Sequence, residues 1–200
     1  MSSLVLPLGR MIGTFSDGAD DPGHHHEIQL GGGIHELSDA ELAGWAFAHE
    51  LLARSALEDR LDHLGAGPAA PIVGGLLARG LLAEVAPDTA EAVAFARAHR
   101  VVPTMQGLGN SADEPGRYGI GLLGRELIQV TRPVYELWAW AHLDGDLWRA
   151  CEAFAGHERA AGGTEPELCD PAHVLAGFLP SLHGLLDVQA VYLDTESGRP

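Results

Sequence analysis

The stretch Trp45-Ala46-Phe47-Ala48-His49 returns as Trp138-Ala139-Trp140-Ala141-His142, 93 residues further on. Self-similarity at a fixed spacing marks a structural unit used more than once, so it constrains the fold before any single residue does. The match extends upstream without a gap, from about residue 18 to residue 49. Asp20-Asp21-Pro22-Gly23 meets Asp113-Glu114-Pro115-Gly116, and Leu30-Gly31 meets Leu123-Gly124. Ile34, Leu37 and Ser38 meet Leu127, Val130 and Thr131 at the same spacing. Beyond His142 the spacing changes. Gly80-Leu81-Leu82 finds its likeness in Gly184-Leu185-Leu186, 104 residues on, which predicts an 11-residue loop insertion around residues 156–171.

Local signals divide the first repeat into elements. Val5 to Leu8 reads as an edge strand, because Pro7 cannot donate to a central ladder. Gly18 to Gly23 reads as a turn. His26–Leu30 and Ile34–Leu37 read as a hairpin around glycines 31–33. Ser38, with Glu41 three residues later, forms the pattern of a capping box and opens a helix over 39–52. Two more helices are predicted over 55–64 and 71–79, then a strand over 81–85. A capping pattern at Asp88-Thr89 opens a connector helix running to about Arg100. In the second repeat, a last helix is predicted over 171–183, a closing strand over 188–193 and a frayed tail from Thr195. The fold class is therefore α+β: two tandem winged-helix-like modules, each a β-hairpin plus three helices, arising from an internal duplication. Module one covers 1–86, the connector 87–102 and module two 103–200.

Charge narrows the partners. The 200 residues carry 28 acidic side chains against 12 basic ones, a net charge of −16, and every basic residue is arginine. Nonspecific nucleic-acid affinity comes from basic groups that release counterions, so DNA is disfavoured. The third helix of the first module offers only Arg79, and residues 173–183 contain no arginine. Cys151 and Cys169 are too few for a disulfide framework, which fits a reducing cytoplasm. No apolar run reaches the ~20 residues that span a bilayer, and the first ten residues lack the basic region of a signal peptide.

Motifs for chemistry are sparse. His24-His25-His26 is the one metal candidate, although adjacent histidines do not by themselves converge on an ion. The series Gly119-x-Gly121-x-x-Gly124 falls in a predicted hairpin, where a dinucleotide would find no helix N-terminus. No Walker loop, HExxH, CxxC or nucleophile elbow occurs, so no cofactor and no catalytic residue are implied. Trp45 and Trp138 read as core anchors rather than ligand platforms. His49 and His142, near helix ends, read as caps for orphan carbonyls.

The order of a hairpin, three helices and Gly-Leu-Leu resembles the small winged-helix peptide-recognition domains of ribosomal-peptide biosynthesis (RiPP recognition elements). The residues carrying the resemblance are 27–37, Ser38, Trp45 and Gly80-Leu81-Leu82, with 121–131, Trp138 and Gly184-Leu185-Leu186 in the second copy. The closing strand and the tandem copy depart from that family. The resemblance implies a noncatalytic protein- or peptide-binding role, with an extended peptide added beside the hairpin. Its contacts would come from Ile34, Leu37, Arg79, Arg117, Tyr118, Leu127, Ile128 and Val130. The acidic surface favours a basic partner. A DNA-binding regulator and an enzyme with a site between the modules stand as alternatives. Oligomeric state is left open by the sequence.

Overall fold

The computed structural model describes residues 3–16, 18, 23–50 and 53–195. The chain is α+β and divides into two units by its contacts. Residues 3–85 with 193–195 form the first, and residues 86–192 the second.

The first unit opens with β1 (Leu4–Pro7), whose four residues are all buried. A three-stranded antiparallel meander follows: β2 (Arg10–Phe15), β3 (His25–Leu30) and β4 (Gly33–Leu37). Three helices come next, α1 (Asp39–Phe47), α2 (Arg54–Leu64) and α3 (Ala69–Ala78). Then β5 (Leu82–Val85) returns antiparallel to β1. Ser38 and Glu41 form the predicted capping box at the start of α1. Gly65 ends α2 in the left-handed conformation, which glycine adopts without penalty. Ile28, Leu37, Trp45, Leu57, Leu61, Val73 and Leu76 belong to one buried cluster. The Trp45 indole is 6 % exposed and its Nε1 donates to Leu8 O at 2.9 Å, so the ring is a core anchor with its one polar atom satisfied.

The second unit repeats this order with additions. It opens with α4 (Ala90–Ala98), which Thr89 caps, and continues into β6 (His99–Pro103). A second meander comprises β7 (Gln106–Gly109), β8 (Arg117–Leu122) and β9 (Arg125–Thr131). Five helices follow: α5 (Arg132–Trp140), α6 (Leu147–Ala160), α7 (Pro166–Cys169), α8 (Pro171–Phe178) and α9 (Leu182–Asp187). The last strand, β10 (Val191–Thr195), pairs with β6. Trp138 is 3 % exposed and donates to Ala190 O at 2.9 Å.

Several expectations need correction. Each predicted hairpin is two-thirds of a meander; β2 and β7 lie in glycine-containing stretches that lack clean alternation. The helix predicted over 39–52 ends at Phe47, and Leu51 and Leu52 lie outside the described residues. The turn over 18–23 and the tail after Thr195 also lie largely outside them. The connector helix belongs to the second unit, while residues from Leu193 belong to the first. The helix predicted over 171–183 is broken into α8, a 3₁₀ turn (Leu179–Ser181) and α9. Pro180 sits in that turn, where it lacks the N–H that a continuous helix would use.

The Gly-Leu-Leu match also fails. Gly184, Leu185 and Leu186 lie within α9 rather than at the closing turn. The position that corresponds to Gly80 is Gln189. Both have positive φ, at 68° and 56°. Leu81 N donates to Leu76 O, as Ala190 N donates to Leu185 O. Leu81 O accepts from Leu8 N, as Ala190 O accepts from Thr104 N. The spacing there is 109, which exceeds the spacing of the tryptophans by 16 rather than by 11. The stretch predicted as a loop, residues 156–171, holds the end of α6 and all of α7. The Gly-Leu-Leu likeness misleads because leucine-rich helices resemble one another at several registers.

Candidate functional site

In the second unit α5, α7 and α8 frame an apolar cavity of about 440 Å³. Pro133, Val134 and Leu137 of α5 form one wall, with Leu168 of α7 and Val174 and Phe178 of α8 facing them. Thr131, Glu167 and His173 add polar groups. Asp170 positions this wall: its carboxylate accepts from the backbone N–H groups of Ala172 and His173 and starts α8. Those two N–H groups hold the Asp170 carboxyl below its ordinary range. Arg132 fixes α5 to α6 through Glu158, with two hydrogen bonds of 2.9 Å. That guanidinium lowers the pKa of Glu158 and its own pKa is raised in return. A second cavity, of about 360 Å³, lies between α8 and Thr89, Ala92 and Val93. Both cavities share His173, so α8 lines both. Thr131 is also the last residue of β9, and β9 pairs only with β8 among the described residues.

In the first unit, the predicted histidines part company. Strand alternation sends His24 and His26 to one side and His25 to the other. His24 Nε2 and His26 Nε2 each lie 2.8 Å from Asp39 Oδ1. His25 instead stacks on Phe15 and approaches Glu27 Oε1 at 3.4 Å. Hydrogen bonding from His26, then from His24, holds the Asp39 carboxyl below its ordinary range. Sequence reasoning missed Asp39. The register carried the signal: a two-residue turn pairs His26 with Leu37, which leaves Asp39 two residues past the strand end beside the imidazoles.

The predicted partner contacts are dispersed. Ile34 is 54 % exposed on β4, whereas Leu37 is 1 % and Val130 8 % exposed, so those two side chains pack the core and offer a partner little. Arg79 is engaged: it donates to Glu41 Oε1 and to Glu36 O, at 2.7 and 2.6 Å. Arg117 is exposed, and Tyr118 packs on Tyr135 with ring centroids 5.0 Å apart. Leu127 is a bulge in β9, skipped between the pairs Ile120–Ile128 and Gly121–Glu126. Ile128 is half-buried.

His49 accounts for an orphan helix carbonyl, with Nδ1 3.1 Å from Trp45 O and its ring against the indole. His99 repeats the device on Phe95 O at 2.8 Å. His142 is exposed. Cys151 is no nucleophile: burial pushes its thiol up to about 12. No described helix is long and apolar enough to cross a membrane. Family models, curated proteins and solved structures yield no match to this chain.

Proposed function

We propose that the protein is a noncatalytic peptide-recognition module, built from two winged-helix-like copies of one duplicated unit and similar in element order to RiPP recognition elements. The observation that carries this reading is the apolar cavity at the end of the edge strand β9, which pairs only with β8 among the described residues. An extended segment added to β9 takes affinity from main-chain hydrogen bonds and runs toward Thr131. There it delivers an apolar side chain between α5 and α8. Glu167 at the cavity and the net charge of −16 favour a segment that also carries arginine or lysine. Free thiols at Cys151 and Cys169 suit a reducing, cytoplasmic setting. DNA is the lesser reading, because Arg79 is engaged within its own unit.

The test is selection of displayed random peptides on the full chain, followed by competition on a Gly177→Leu variant. A Cβ at Gly177 meets nothing within 4 Å, and the residue lines the cavity, so the branch point of a leucine is accommodated and the rest of its side chain takes up cavity space. Peptides enriched in one apolar anchor with flanking basic residues, and lost on Gly177→Leu, support the reading. No enrichment, or binding indifferent to the substitution, overturns it. Salt-dependent binding to random duplex DNA by the wild type would favour the regulator instead.

A further inference from the structure

The geometry points to a divalent transition-metal site, with zinc as its natural occupant, held by His24, His26 and Asp39 of the first unit. Their ligand atoms lie within 4.8 Å of one another. The donor set is two imidazole nitrogens and one carboxylate oxygen. Imidazole selects transition metals, and calcium or magnesium would want oxygen donors. Three protein ligands and an open fourth position is the arrangement zinc adopts when it keeps a water or takes a ligand.

Each ligand is placed by the fold. His24, just before β3, and His26 within it are two residues apart in extended chain, and both face Asp39. Asp39 occupies the first turn of α1, yet Ser38 and Glu41 cap that helix without it. Its carboxylate is left to the imidazoles. Thr14 supplies the outer support. Its hydroxyl lies 2.9 Å from His26 Nδ1, and accepting that N–H leaves Nε2 as the lone-pair donor. The His26 side chain is 9 % exposed and anchors the site, while His24 at 43 % and Asp39 at 74 % leave a path for the ion. Metal–ligand bonds of about 2.0–2.2 Å require the present 2.8 Å separations to open by about half an ångström, which the exposed Asp39 side chain can supply.

The second unit shows what the scaffold needs without a metal. Ile28 and Ile120 are fully buried, with His35 and Ile128 opposite them in register, which places Tyr118 at the position of His26 and Gly116 at that of His24. The first residue of α5 is Arg132, where α1 has Asp39. All three ligands are replaced, one by the opposite charge. The site therefore belongs to one copy and is no requirement of the module.

The full chain, purified without a polyhistidine tag, is dialysed to equilibrium against zinc and its metal content measured. Cobalt replaces zinc in a second series read by visible absorption. One zinc per chain is expected. Affinity falls at least tenfold in His24→Ala and Asp39→Asn, two exposed positions whose circular dichroism should stay native. It falls about 10–100-fold in Thr14→Val, through loss of the outer hydrogen bond. His25→Ala keeps full binding. Absence of retained zinc in the wild type overturns the proposal. So does zinc bound equally by His24→Ala and Asp39→Asn, or lost equally in His25→Ala.

Discussion

The two units share a hydrogen-bonded skeleton and differ in what fastens the first helix of each. In the first unit α1 begins with acidic side chains: Asp39 takes His24 and His26, and Glu41 takes Arg79 from the end of α3. In the second, α5 begins with Arg132, which takes Glu158 from α6. Charge sign and partner are both exchanged, yet the meander, the buried tryptophan and the left-handed closing residue persist. Positions that stay alike thus report the demands of the scaffold. Positions that differ are free to serve other ends, and there the cavity and the histidine cluster are found.

The largest effect is expected from the tryptophans. Trp45→Ala and Trp138→Ala should each cost about 3–5 kcal/mol, read by denaturant unfolding. Hydrogen exchange should locate each loss in the substituted unit. Equal loss of protection in both units from either substitution would break the picture of separate cores. The closing residues sharpen the comparison with a difference in sign. Gly80→Ala should cost about 1–2 kcal/mol, since a Cβ there meets no atom within 4 Å and only the left-handed backbone resists it. Gln189→Gly should stabilise by up to about 1 kcal/mol, the relief of φ being partly offset by unfolded-state entropy. Stabilisation by Gly80→Ala would end the equivalence.

The smallest effect lies in acid. Burial raises the Glu41 carboxyl, but the Ser38 N–H and hydroxyl, with Arg79, bring it below its ordinary 4.5. Arg132 lowers Glu158 likewise. A depressed carboxyl contributes stability that is complete above its ordinary value and is lost as pH falls through the folded value. Unfolding free energy should therefore decline below about pH 4.5. Glu158→Gln should flatten part of that decline while changing neutral stability by at most ~1 kcal/mol, since the Arg132 side chain of this pair is partly exposed. An unchanged acid limb would show that these pairs do not govern it.

Much of the scaffold was legible. The capping box at Ser38, the glycine turns and the tryptophan repeat have short-range causes, so they can be read from neighbouring residues. The β2 and β7 strands were not, because their pairing depends on distant β3 and β8 rather than on their own pattern. The 93-residue spacing also concealed a compensation. The β3 and β8 strands correspond at a spacing of 92, and the bulge at Leu127 restores 93 by Leu37 and Val130. Asp39 was hidden for a similar reason, since its meeting with His26 exists only once the hairpin register is known. The start of α8 at Asp170 was legible, but the cavity was hidden because residues 156–169 look like loop until Asp146 and Pro166 are recognised as the starts of α6 and α7.

The ownership of the last residues bears on how the chain is made. Leu193 O accepts from Gly9 N–H, and the Asp194 carboxylate accepts from Gly31 N–H. Gly31 and Asp194 stand 163 residues apart in the chain, with the second unit between them. During synthesis the first unit must wait, with two backbone donors unanswered, until the whole of the second unit has been made. Its completion thus depends on the second unit having been made, and a chain cut short before Leu193 leaves Gly9 and Gly31 without these acceptors.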